Sequence, residues 1–206
     1  MNEDKLKKIT NAIQGEIDAF GEVMDVTKFR RLQKQLEKFL TTDPVTGILN
    51  RWKIEDVVRH EMSRAKDNKG KLCLLMIDID EFKRTNDVHG HNTGDTVLRA
   101  VAREVEYAFE GTFGKSQHLG RWGGDEFVYI LHSKGEREVR KVASKALKAV
   151  GKIVYDVGHG CMIPVSVSIG ATWLKDGDTT ETLIARADKA MYKVKKKGGN
   201  AVEIIS

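Results

Sequence analysis

The stretch RWGGDEFVYIL (121–131) constrains the fold more than any other. A Gly-Gly pair followed by strand-forming residues predicts a tight hairpin, and a hairpin requires two antiparallel strands. Around it, helical and strand signals alternate. KLCLLMIDID (71–80) reads as a buried strand, EFVYIL (126–131) as a second and PVSVSIGATW (164–173) as a third. Val97, Leu98, Val101, Val105 and Phe109 share one face of a helix over 95–109, and Val139, Val142, Ala146, Leu147 and Val150 mark another. Residues 178–196 predict a helix opened by an Asp178/Glu181 capping box, and AVEII (201–205) a closing edge strand. Strands and helices that interleave, yet include a hairpin, predict an α/β or α+β sandwich with a mixed sheet.

Residues 1–41 follow a different rhythm. Leu6, Ile9, Ile13, Ile17, Phe20 and Met24, then Phe29, Leu32, Leu36 and Phe39, recur at helical spacing, with a break near Asp25–Thr27 where Thr27 could cap a second helix. Asp43-Pro44 ends that helix, because the residue before proline is pushed out of the α region. The chain therefore divides into an N-terminal helical stalk, 1–41, and a domain, 42–206. The stalk either pairs with a second copy, the preferred reading, or packs on its own domain.

Charge and cysteine usage narrow the partners. Thirty-five basic against 30 acidic side chains give a formal charge of +5, which suits an anionic ligand. Much of the excess sits in KVKKK (193–197), and no aromatic-basic interleaving points to nucleic acid. No apolar run approaches the ~20 residues of a membrane span. MNEDKLKK is too polar for a signal peptide. Cys73 and Cys161, each beside apolar sequence, read as buried thiols in a reducing cytosol, hence a cytoplasmic protein. The six histidines lack zinc-finger spacing.

Asp125 and Glu126 adjoin at the hairpin turn, where two unit charges about 4 Å apart cost roughly 4 kcal/mol at an effective dielectric of 20. Either the turn faces water or it holds a cation. Asp78 and Asp80 close an apolar strand two residues apart, on one face if the strand continues. If the hairpin lies beside that strand, Asp78, Asp80 and Asp125 could hold Mg²⁺, a hard cation that takes oxygen ligands. In EFKRTNDVHGHNTGD (81–95), Lys83 and Arg84 supply the cations a metal-bound polyphosphate needs, and Gly90 and Gly94 allow close backbone approach. A helix starting near Asp95 would offer N–H groups to an anion, while Asn86 and Asp95 can read a base edge. The competing account is a plain turn with Asp95 as a helix cap. Arg121 precedes glycines that leave room for a phosphate. Lys193, Lys195, Lys196 and Lys197 either reach that ligand or simply complement a helix C-terminus.

Taken together, DPVTGILNR (43–51), IDIDEFKRTNDVHGHNTGD (77–95), RWGGDEF (121–127), SIG (168–170) and ADKAMYKVKKKGGN (187–200) resemble the GGDEF family of diguanylate cyclases. The resemblance covers roughly residues 42–206. It implies a central, largely antiparallel mixed sheet flanked by helices, similar to nucleotide cyclases and polymerase palms. It implies a nucleotidyltransferase that condenses two GTP into cyclic di-3′,5′-GMP with loss of two pyrophosphates in bacterial second-messenger signalling. Asp78, the Ile79 carbonyl and Asp125 are then the ligands of two Mg²⁺, or Mn²⁺, per half-site. Asp125, Glu126, Lys83 and Arg121 are the catalytic set, with Lys83 and Arg121 offsetting phosphate charge. Asn86 and Asp95 take the guanine edge. Backbone at Phe82–Lys83, Gly123, Gly124, His91 and Lys195 complete the substrate site.

Each domain would carry one GTP, so a homodimer is part of the chemistry and the stalk would set its geometry, under an upstream sensory domain or partner. Two positions depart from the family. Gly199 stands where an Arg usually grips the terminal phosphates. Gly114-Lys115-Ser116-Gln117 replaces the Arg-x-x-Asp of product inhibition, so none is expected through that site. Two other readings compete: a GTP-binding regulatory module without turnover, and a hybrid cyclic GMP–AMP synthase.

Overall fold

The structure, a computed structural model, describes residues 11, 26–67, 71–110, 117–133, 135–156 and 162–205. The expected first stalk helix, Cys161 and residues 114–116 fall outside what it describes, as does the Thr27 side chain with its expected capping role. The chain divides into two units, 1–40 and 41–206. A helix, α1 (Val26–Thr41), leads to the second. It stops two residues before Asp43, as the proline rule requires. Among the described residues no helix is long and apolar enough to cross a membrane.

The organising element of the second unit is β1 (Leu72–Ile79), eight residues that are all buried. Strand side chains alternate between faces, so a strand buried along its whole length needs a layer on each side. Cys73, Leu75, Ile77 and Ile79 pack into a cluster with Val97, Val101, Val105 and Phe109 of α4 (His91–Phe109) and Val142 and Ala146 of α5 (Glu136–Val150). Leu72, Leu74 and Met76 face the other way, toward Ile54 and Val58 of α2 (Arg51–Asp67) and Leu183 and Met191 of α6 (Thr180–Lys196). Burying each such Leu contributes about 1.5–3 kcal/mol. By the same alternation, Asp78 lies on the α2/α6 face.

Five strands form the sheet, in the order β2 (Gln117–Gly123), β3 (Glu126–His132), β1, β6 (Val167–Trp173), β7 (Val202–Ile205). The pairs β2–β3, β3–β1 and β1–β6 are antiparallel, and β6–β7 is parallel. The mixed, largely antiparallel sheet flanked by helices is thus as expected, with the hairpin at Gly124–Asp125 and the closing strand at an edge. A short helix, α3 (Phe82–His89), bridges β1 and α4. β4 (Val154–Asp156) and β5 (Met162–Pro164) make a separate two-stranded sheet.

Three local expectations are corrected. The helix placed at 95 starts at His91, because Gly90 turns the chain with φ 83 and accepts from Gly94 N–H at 3.3 Å. The strand expected over 164–173 is broken: 162–164 pairs with β4, and Ser166 turns its carbonyl to Asp80 N–H at 2.9 Å. Thr179, not Asp178, caps α6, in a box with Thr182. The Asp178 carboxylate instead meets Arg186 at 2.6 and 2.9 Å. Cys73 is buried, and that burial pushes its thiol up to about 12, which makes it inert.

Candidate active site

Backbone register brings the acids together. Asp78, next to last in β1, stands opposite Glu126, the first residue of β3, and Ile79 N–H donates to Asp125 O at 3.3 Å. The sheet order places the β2–β3 turn beside the end of β1, the pairing that sequence alone left open. Gly124 holds this turn with φ 50, a left-handed conformation that favours glycine.

Lys195, on the last turn of α6, reaches down onto the same face. Its Nζ lies 2.5 Å from Asp78 Oδ1, with the two side chains 36% and 6% exposed. The pair closes over an otherwise unpartnered, buried Oδ1. Burial, with the charges of Asp125 and Glu126, pushes the Asp78 carboxyl up to about 6 against the pull of Lys195. Burial, then Asp188 and Asp125, raises Glu126 as well, opposed by Lys195 and Arg51. Asp188 is seven residues before Lys195, hence on the same face of α6. Sequence reasoning quoted its block but gave it no role; that spacing was the available signal. Beside Glu126 opens a cavity of about 440 Å³, walled by Arg51, Trp122, Glu181 and Asp188, with Arg51 stacked 4.6 Å from the Trp122 ring.

These donors are all oxygens, and Asp78 supplies a buried carboxylate paired with Lys195. Among the described residues no three His, Cys, Asp or Glu side chains gather closely enough to hold a metal by themselves. Magnesium does not need that: it binds through one or two carboxylates and completes its shell with water and substrate phosphates. Asp78 and Asp125, with the Ile79 carbonyl between them in the chain, fit such an ion. Asp80 does not join them. β1 ends at Ile79, and the Asp80 carboxylate turns to Ser166 Oγ and Ser168 Oγ, at 2.6 Å each.

Past Asp80 the chain turns through Glu81, at φ 56, into α3. No side chain caps this helix, so the first-turn N–H groups of Phe82 and Lys83 lack helical acceptors. Phe82 is buried beneath, while the Lys83 side chain is exposed. Asn86 packs onto α4 so closely that a Cβ at Gly94 would lie 1.9 Å from its Oδ1, and that oxygen is buried without a hydrogen bond. Asn86 is therefore held against Gly94, whose neighbour in the chain is Asp95. Asp95 sits a full turn inside that helix, so it is no cap. His91, the first residue of α4, is exposed.

Arg121 is engaged by protein groups on two sides. Its Nε and Nη2 donate to Gly124 O at 2.9 and 2.7 Å, and its Nη1 donates to Asp43 Oδ1 and Oδ2 at 3.1 and 3.2 Å. Asp43 also accepts from Thr46 N–H and Oγ1, at 2.8 Å each. The guanidinium thus ties the 43–47 loop to the turn that carries Asp125. Sequence reasoning gave Asp43 no such part.

Comparison with known proteins gives the family. The family described as "Diguanylate cyclase, GGDEF domain" matches residues 40–201, most of the chain. The chain belongs to the GGDEF family. Its GGDEF domain is similar to Diguanylate cyclase DosC of Escherichia coli (strain K12), 34% identical over 180 residues that cover 87% of this chain and 38% of that protein. It is also similar to Cyclic di-GMP phosphodiesterase PdeR of the same strain, 33% identical over 84% of this chain and 25% of that one. This GGDEF chain therefore spans less than half the length of either. Among solved structures, the coiled coil and GGDEF domain of DgcB from Caulobacter crescentus, in complex with c-di-GMP, superposes with a TM-score of 0.79 at 26% identity. That match covers 95% of this chain and 99% of the other.

Proposed function

We propose that the chain is a cytoplasmic diguanylate cyclase: two copies, each carrying one GTP, condense them into cyclic di-3′,5′-GMP and release two pyrophosphates. The observation that best supports this is the meeting of Asp78, Asp125 and Glu126 with Lys195 at one end of the sheet. Structural acids of an ordinary turn would have no reason to be half-buried together; a ligand of high charge would.

Asp78, Asp125 and the Ile79 carbonyl would hold Mg²⁺. Bound there, the ion would neutralise triphosphate charge and acidify the attacking hydroxyl. The chain's own groups do the rest. Asn86 and Asp95 would seat guanine, an Asp carboxylate accepting from N1–H and the 2-amino group and so rejecting adenine. The first-turn N–H groups of Phe82 and Lys83, with the Lys83 and Lys195 ammonium groups, would cradle the β- and γ-phosphates. His91 would border this pocket, and Gly123 and Gly124 leave space for the nucleotide. The 3′-oxygen of one GTP forms a bond to the α-phosphorus of the other as the bond to pyrophosphate breaks. Glu126, whose carboxyl is raised chiefly by burial, would accept the proton that leaves that hydroxyl. Arg121 serves by holding the Asp125 turn. Each copy presents a single nucleotide, so the product forms only where two face each other, and the stalk would set that meeting under an upstream signal.

Incubation of the purified chain with Mg²⁺ and GTP, with and without ATP, followed by chromatography, tests this. A cyclic GMP dinucleotide should form, disappear with EDTA, and disappear in Asp125→Asn. No dinucleotide from a demonstrated dimer would refute turnover. GTP binding without turnover would favour a regulatory module, a reading that Gly199 supports because it offers terminal phosphates no side chain.

A further inference from the structure

Two acids flank the end of β1 at Ile79, and they serve opposite sides of one helix end. Asp78 takes the Lys195 ammonium. Asp80 takes the turn that follows: its Oδ2 accepts from Asn200 N–H at 3.0 Å as well as from Ser166 Oγ, and its Oδ1 accepts from Ser168 Oγ. With its own N–H on Ser166 O, four bonds at one residue join the end of β1, the start of β6 and the exit from α6. That exit runs through three consecutive left-handed residues, Gly198 at φ 104, Gly199 at 77 and Asn200 at 49. It is bonded back to the last helical turn, Gly198 N–H to Lys195 O and Gly199 N–H to Val194 O, both at 3.1 Å. A shift of 198–200 therefore shifts the backbone that carries Lys195. Gly199 lies against Asp80 so tightly that a Cβ there would come within 2.8–2.9 Å of the carboxylate. The turn thus has no room for a gripping side chain at 199, and its hold on an anion falls to Lys195.

We propose that Asp80 is a positioning residue for GTP: it latches the Gly198–Asn200 turn so that Lys195 stands where the triphosphate meets Asp78. This rests on the cyclase reading above. Both Asp80 oxygens are already taken by protein donors, so its effect reaches the substrate only through Lys195.

A double-mutant cycle in the full chain tests the coupling, read as binding of a non-hydrolysable GTP analogue with Mg²⁺ by calorimetry. Asp80→Asn and Lys195→Met should each weaken binding by about tenfold, and the double variant should be no weaker than Lys195→Met alone, within about twofold. Multiplying losses, about a hundredfold together, would overturn the inference. The Ser166→Ala/Ser168→Ala variant keeps the carboxylate, so it serves if Asp80→Asn melts below the assay temperature. Its loss too should vanish in a Lys195→Met background, and its persistence there would count against the latch. If the unmodified chain binds no GTP, the cyclase reading falls and takes this inference with it. If it binds and the losses multiply, only the inference falls.

Discussion

Replacing Arg121 by Met keeps the aliphatic stem and removes the guanidinium. Lost are the two donors on Gly124 O and the pair with Asp43, whose partners are 17% and 15% exposed. A hydrogen bond from a charged donor is worth about 1.5–3 kcal/mol net, and a solvent-screened ion pair up to about 1. Counting the two donors on one carbonyl as a single bond, the loss is about 3 kcal/mol. For a chain of this size that lowers the melting temperature by about 6–12 °C. Turnover should fall as well, since Asp125 follows Gly124 directly. Thermal denaturation by circular dichroism reads the first effect and dinucleotide formation at saturating GTP the second.

The pH dependence gives an independent check. Burial works against ionisation of Asp43, but the Thr46 N–H, the Thr46 hydroxyl and Arg121 together hold its carboxyl below the ordinary 3.8. A depressed carboxylate stabilises above its unfolded pKa and loses that contribution as pH falls through its folded value. The stability gap between Arg121→Met and the unmodified chain should therefore narrow below pH ~3.8. Asp43→Ala should reproduce most of the stability loss. An unchanged melting temperature in Arg121→Met, with the whole loss in kcat, would refute the turn-fixing argument and put the guanidinium on the substrate.

Two other perturbations separate binding from folding. Gly94→Ala puts a Cβ 1.9 Å from Asn86 Oδ1, so Asn86 must rotate away. KM for GTP should rise about tenfold with kcat little changed, while the helix itself gains up to about 1 kcal/mol from losing a glycine; an unchanged KM would remove Asn86 from the guanine site. Asp178 is held down to about 2 from 3.8 by its hydrogen bonds with Arg186, aided by Lys175 N–H. Its stabilisation, about 2 kcal/mol at most and nearer 1 after solvent screening, is present above pH ~4 and lost as pH falls toward 2. Urea titrations of Asp178→Asn should show that deficit at pH 6 and little of it at pH 2.

What could be read from the sequence was what short range determines. Gly-Gly before EFVYIL specified a hairpin because turn chemistry and strand alternation are local, and LCLLMIDI specified a doubly covered strand because eight apolar-dominated residues leave no face for water. Errors arose where a side chain chose a distant partner over a near one. Asp178 and Glu181 have the spacing of a capping box, yet the Asp178 carboxylate finds a guanidinium eight residues on, and an ion pair with two short bonds outweighs one N-terminal amide. Arg121, next to the glycines, bonds Gly124 O three residues on and also Asp43, 78 residues back in the chain, a partner that local pattern does not show. Asp78 and Asp80 follow strand periodicity only if the strand continues, and it stops where Ser166 and Ser168 of the neighbouring β6 region capture Asp80. The same non-local pairing, β1 between β3 and β6, is what turns three unremarkable acids into a site: Asp78 and Glu126 meet because strands nearly fifty residues apart align in register. Local pattern predicts which groups a chain can bring to a site, and sheet topology decides which of them arrive.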